Sequence, residues 1–212
     1  MAKQLAMNIG YRYIDSGAMY RAVTLYGMRH GLVTTDGEVD VPKLISSLPD
    51  IHIDFHLEGD RQFTMLNGEN VENEIRTLGV SNCVSPVAAI PEVRHALVKM
   101  QREMGERKGI VMDGRDIGTV VLPSAQVKIF ITASPEIRAK RRFMELVQKG
   151  VDTTLEQVLN DLNRRDYQDS HRAVAPLKMA EDAVLVDTSE LDFEQSVQRI
   201  TELVQAAIDK DR

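Results

Sequence analysis

The 212-residue chain is 43% hydrophobic and 27% charged, which supplies one well-buried core and a small inserted subdomain. Its formal net charge of −6 argues against a surface built throughout to grip nucleic acid. No apolar run approaches the roughly 18 residues of a membrane span, and the opening MAKQLAMNIG has neither the apolar stretch nor the cleavage site of a secretory leader, so a cytoplasmic chain is expected.

In chain order, short β-branched runs alternate with helical patterns, which predicts an α/β fold with a parallel sheet flanked by helices. A strand over Arg12–Asp15 leads into a helix over Ala18–His30. Ile51–Leu57 and Arg61–Asn67, joined by Glu58, Gly59 and Asp60, read as a hairpin that interrupts the alternation; with Asn70–Arg76 they predict a small antiparallel insertion. A helix over Glu92–Arg107, a strand over Gly109–Asp113 and a strand over Val127–Ala133 follow. Helices over Pro135–Lys149 and Thr154–Asp169, a strand over Ala183–Asp187 and a helix over Phe193–Asp209 complete the chain. The strands are nearly all apolar, as strands buried on both faces are. Ser134 before Pro135, and Asp192 with Gln195 three residues on, are helix-start signals; Gly150 is a stop. The single cysteine, Cys83, has no partner for a disulfide or a zinc site and is expected to fill core space.

Three places carry chemistry. Asp15-Ser16-Gly17 stands where a buried strand turns into a helix, the edge at which open α/β sheets bind ligands. There Gly17 allows a tight turn, Ser16 offers a cap, and Arg21, one turn on, offers a five-donor fork suited to phosphate. Asp113-Gly114-Arg115-Asp116 follows the apolar strand GIVM, with Asp113 placed to orient magnesium or its water, Arg115 to neutralise a phosphate and Asp116 to accept from an exocyclic amine. Basic residues then concentrate in the C-terminal half, where Arg165, Asp169 and Arg172 fall on one face if their helix persists that far. Each also has a plain structural reading: a capped helix with a surface arginine, an ordinary Asp-Gly turn, a solvated helix face.

Together and in this order the motifs resemble a family. Tyr13-Ile14-Asp15-Ser16-Gly17-Ala18-Met19-Tyr20-Arg21, Glu74-Ile75-Arg76, Asp113-Gly114-Arg115-Asp116-Ile117-Gly118-Thr119-Val120-Val121, and Arg165-Asp166 with Asp169 and Arg172-Ala173-Val174-Ala175-Pro176-Leu177 are similar to bacterial cytidylate kinases of the P-loop nucleoside-monophosphate kinase family. The resemblance implies a single domain with a core at residues 1–37, 78–134 and 171–212, a monophosphate-binding insertion near 38–77 and a helical lid near 135–170. It implies ATP and CMP or dCMP as substrates, with Mg2+, on a monomer that needs neither nucleic acid nor membrane. Ser16, Arg21, Ser85, Arg94, Arg115, Asp116, Arg165, Asp169 and Arg172 match the family's CMP contacts. Arg94, Asp116 and Arg172 are then expected at the cytosine, Ser85, Arg165 and Asp169 at the sugar side, and Arg21 and Arg115 at the phosphate. Arg138, Arg141 and Arg142 are expected in the ATP lid, with Asp113 reaching the metal through water.

One departure accompanies the resemblance. The family opens with an apolar strand and a loop of the form G-x-x-x-x-G-K-[ST] that cradles ATP phosphates, and no such loop occurs in these 212 residues. Met1–Ala6 resembles the helix that follows that loop, so a longer native enzyme is expected, with slow or absent turnover by the chain as given. The alternatives are a nucleotide-binding module without kinase activity and a kinase acting on UMP or another small molecule.

Overall fold

The structure, a computed structural model, describes residues 1–59 and 61–210. The chain divides into two compact units, Tyr13–Gly114 and Met1–Arg12 with Arg115 onward. The break falls inside the Asp113–Asp116 motif. The elements in order are α1 (Ala2–Ile9), β1 (Arg12–Asp15), α2 (Ser16–Arg29), α3 (Val41–Ser47), β2 (Ile53–Glu58), β3 (Arg61–Leu66), β4 (Glu69–Asn70), α4 (Leu78–Ala88), α5 (Pro91–Gly105), β5 (Ile110–Asp113), β6 (Ile129–Thr132), α6 (Pro135–Gln148), α7 (Leu155–His171), β7 (Val184–Asp187) and α8 (Phe193–Lys210).

The Tyr13–Gly114 unit is built around α2, which buries Ala18, Met19, Tyr20, Ala22, Val23, Leu25 and Tyr26. Against it pack Leu44, Ile75, Val87, Val93 and Leu97 from four other segments, closing one continuous apolar core. Cys83 lies in that core, as expected, with its thiol directed at the carbonyls of Thr34 and Thr35. The predicted hairpin is present, in register from Ile53 opposite Leu66 to Glu58 opposite Arg61, and β4 adds a short third strand. Of its three connecting residues Asp60 lies outside the described residues; Gly59 has φ +57, the left-handed conformation a tight loop asks of glycine. Helices α3 and α4 were not legible as helices: α4 contains Pro86, a residue that argues against a helix interior.

In the other unit β6 and β7 pair in parallel, Ile129 opposite Val184 through Thr132 opposite Asp187. Helix α1 packs on α8, burying Leu5 and Ala6 with Val197, Ile200 and Val204 nearby on α8. The start signals hold: the Ser134 hydroxyl accepts from the Ile137 amide, and Asp192 and Gln195 form a reciprocal box. Thr154 and Gln157 form a second box that begins α7. The hydrogen-bonded neighbour of β5 is β1, and that of β6 is β7. Full burial of the strands does not hold. Ile131, Val184 and Leu185 remain exposed, so β7 carries apolar side chains into solvent.

Candidate functional site

Two clusters gather the charged residues singled out above, one in each unit. In the Tyr13–Gly114 unit the centre is Asp15. Its Oδ1 accepts from the Ala18 amide at 2.8 Å, so Asp15, not Ser16, caps α2. Its Oδ2 accepts from Arg21 at 2.9 Å and from Arg76 at 3.0 Å. Ser16 is buried and donates to the Asp113 carbonyl at 2.6 Å, joining the start of α2 to the end of β5. Gly17 lies inside the helix and turns nothing. Its missing side chain makes space, since a Cβ there would sit 3.2 Å from both Arg21 Nη1 and Asp15 Oδ1.

Behind Arg76 the charges continue. Glu72 accepts from Arg76 Nε at 2.6 Å through one oxygen, and through the other from the amide and hydroxyl of Thr64 on β3, at 3.0 and 2.7 Å. A buried hydroxyl of the antiparallel insertion is thereby linked through Glu72, Arg76 and Asp15 to Arg21. Spacing offered a signal for part of this, because Glu72 and Arg76 are four residues apart; the convergence on Asp15, across 61 positions, left none in the sequence.

Asp113 ends β5 with its carboxylate accepting from the Tyr13 hydroxyl at 3.0 Å. Though open to solvent on one side, the carboxylate is crowded by protein, and this desolvation, reinforced by the Asp15 charge, pushes its pKa up to about 6; the Tyr13 hydroxyl pulls it back. Tyr13 is itself raised by burial and by the same two carboxylates. Hard oxygens under excess negative charge suit a divalent cation. Among the described residues, however, no group of three or more His, Cys, Asp or Glu gathers to hold an ion unaided. Asp113 by itself is one hard oxygen donor beside Asp15, a donor type that suits a divalent cation held mainly by other ligands.

Arg94 is 3% exposed on α5, its guanidinium donating to the Ala88 carbonyl at 3.1 Å and lying 5.3 Å from the centre of the Tyr20 ring. That oxygen and ring face replace part of the water such a charge loses on burial. Ser85 is half-buried on α4.

The second cluster belongs to the other unit. Asp116 is 5% exposed, and its carbonyl accepts from the amides of Val120 and Val121 in a single wide turn over Ile117–Val121. Arg172 stands 3.7 Å from Asp116 and 3.7 Å from Asp169, and its Nε donates to the Ala175 carbonyl at 2.6 Å. Helix α7 ends at His171, so Arg172 departs from the predicted helical face; it takes extended backbone. The following loop wraps back, with Ala175 at φ +50 and the Leu177 amide on the Asp169 carbonyl. Arg115 donates to Asp169 at 2.9 Å, and Arg165 is half-buried on α7.

Of the three arginines expected in the lid, two are committed to protein. Arg138 donates to the Ala133 carbonyl at 3.0 Å and to Asp166 of α7 at 2.5 Å, tying α6 to α7. Arg141 donates to the carbonyls of Thr188 and Leu191, at 2.6 and 2.7 Å, and to the Thr188 hydroxyl at 3.2 Å, which anchors α6 on the turn after β7. Arg142 pairs at the surface with Glu145. No helix among the described residues is long and apolar enough to cross a membrane.

Comparison with known proteins finds one family over nearly the whole chain. A family model described as Cytidylate kinase matches residues 1–206. The cytidylate kinases of Bacteroides thetaiotaomicron and Phocaeicola vulgatus are each 54% identical, over 95% and 98% of this chain and 89% and 91% of their own length. That of Flavobacterium johnsoniae is 49% identical over 100% of this chain and 92% of its own. Matched along nearly its whole length, the chain belongs to the cytidylate kinase family.

Proposed function

We propose that the protein transfers the γ-phosphoryl group of ATP to CMP or dCMP, giving ADP and CDP or dCDP by in-line attack with no covalent enzyme intermediate. The observation that carries this reading is the shielded Asp116, paired with Arg172 rather than solvated. A carboxylate so placed accepts from the cytosine amine, and a guanidinium beside it donates to the ring's acceptors, a match that uracil, with a carbonyl in place of the amine, does not make. In this reading Arg94 joins the cytosine contacts, Ser85, Arg165 and Asp169 serve the sugar side, Arg21 and Arg115 the phosphate, and Ser16 supports them through the Asp113 carbonyl. Phosphoryl transfer asks mainly for positioning and charge neutralisation, which guanidinium forks supply. Mg2+ carried with ATP neutralises the donor phosphates, with Asp113 as its protein neighbour. Residues 38–77 close on the monophosphate and residues 135–170 act as the lid, where Arg138 and Arg141 set the pose of α6 and Arg142 faces the donor.

The 212 residues carry no G-x-x-x-x-G-K-[ST] loop, so the cradle for the ATP phosphates has to come from outside them for the reaction to run. That same fact favours the second reading, in which these residues by themselves bind nucleotide without turnover. The protein acts as a cytoplasmic monomer with no nucleic-acid or membrane partner.

Calorimetry of the 212-residue chain with CMP, dCMP, UMP and AMP, followed by a coupled turnover assay, checks both readings. CMP and dCMP bind at least tenfold more tightly than the others, and turnover is slow or absent until a phosphate-binding loop is supplied. Equal binding of all four overturns the cytosine reading. Turnover by these residues matching that of a loop-bearing form overturns the account of the donor side.

A further inference from the structure

Asp15, Glu72 and Arg76 have been given no part in the reaction, yet they form the most continuous charge network in the Tyr13–Gly114 unit. We infer that Asp15 is a positioning residue: it holds the Arg21 fork in place for the monophosphate, and the Arg76–Glu72–Thr64 chain makes that hold depend on the seating of the antiparallel insertion. The inference rests on Arg21 meeting the phosphate, as proposed above.

The geometry divides the Asp15 carboxylate into two tasks. Oδ1 caps α2 on the Ala18 amide, and Oδ2 alone faces the two guanidinium groups of Arg21 and Arg76. Arg21 is held by Asp15 through Nη2 alone, which leaves the Nη1 end of the fork unbonded to Asp15. The side chain is thus fixed at one corner with donors still available, the arrangement that lowers the ordering cost of binding an anion. Gly17 belongs to the same device, because a side chain there would crowd the Asp15–Arg21 contact. Arg76 is held from the other end by Glu72, whose second oxygen takes both the amide and the hydroxyl of the buried Thr64. A shift of β3 therefore pulls on Arg76 and, through the shared Oδ2, on Arg21.

Asp15→Asn separates the two tasks. The amide oxygen keeps the cap on Ala18, while an NH2 group replaces Oδ2 and repels both guanidinium groups. In the 212-residue chain, calorimetry with CMP and with cytidine reads the phosphate contribution without turnover. Arg21→Ala is expected to cut the preference for CMP over cytidine at least tenfold. Asp15→Asn cuts it about fivefold with cytidine affinity unchanged, and adds nothing in the Arg21→Ala background. Glu72→Gln, more remote and gentler on folding, cuts it about twofold with the same loss of effect when Arg21 is absent.

The outcomes separate the inference from the reading beneath it. If Arg21→Ala leaves the preference intact, the phosphate assignment falls and the positioning role with it. If Arg21→Ala acts as expected but Asp15→Asn is additive with it, lowers CMP and cytidine alike, or tightens CMP by removing a negative charge, the positioning role alone is overturned.

Discussion

In the Tyr13–Gly114 unit Leu97 on α5 is 1% exposed and sits in an apolar core assembled around α2, whereas in the other unit Leu185 on β7 is 56% exposed. Beside its α1–α8 packing, the second unit is braced by cationic straps. Lys128 pairs with Asp182 at 2.6 Å and reaches the Pro123 carbonyl, Arg138 ties α6 to α7, and Arg141 ties α6 to the turn after β7. Two leucines thus end in different surroundings, because burial is set by what packs on a side chain and residue type only permits it. Individual pairs differ too: the Asp15 contacts are 2.9 and 3.0 Å and Arg115–Asp169 is 2.9 Å, while Arg172 stands at 3.7 Å from Asp116 and from Asp169.

The comparison is broken most easily by paired truncations. Leu97→Ala should cost about 2–5 kcal/mol, since a filled core position loses both transfer energy and packing, whereas Leu185→Ala should fall within about 0.5 kcal/mol. Urea denaturation of both variants measures this, and similar losses at the two sites would erase the distinction. Arg141→Ala should cost about 1.5–3 kcal/mol by the same measurement, because its charged hydrogen bonds end on main-chain carbonyls that are left without them. A neutral result would mean that the strap contributes nothing to holding α6.

The smallest effect concerns Asp113. Its pKa is about 6 in the folded chain against an ordinary 3.8, so between those values the native state holds a proton that the unfolded chain has lost. Through this group stability rises as pH falls from 7 toward 4. Asp113→Asn should therefore gain on the wild type at pH 7 in metal-free buffer, and that advantage should shrink at pH 5. An advantage that does not change with pH contradicts the desolvated carboxylate.

Much of this was legible beforehand where local chemistry decides. Ser134, Asp192 and Gln195 marked helix starts because capping involves residues three apart, and the hairpin followed from alternation around Gly59. Ser16 was misassigned as the cap because Asp15 satisfies the same amide one residue earlier, which frees Ser16 to reach β5. Pro86 hid α4, and the wide turn at Ile117–Val121 has no sequence signature. The candidate site residues were proposed through the order of their motifs. The partners that hold them were not: Asp15 for Arg21, Asp166 for Arg138 and Asp15 for Arg76 lie 6, 28 and 61 positions apart and meet only in the finished fold, whereas Glu72 for Arg76, four apart, had a visible spacing.

The claim that matters most is that the shielded Asp116 and Arg172 read cytosine. Its most direct measurement is the dissociation constant of CMP and of UMP for the 212-residue chain and for Asp116→Ala and Arg172→Ala. The account predicts that each substitution weakens CMP by about 1–3 kcal/mol, the cost of leaving a buried polar partner unsatisfied, while UMP changes little, so the preference for CMP collapses. Equal weakening of CMP and UMP, or a preference that survives both substitutions, would contradict it.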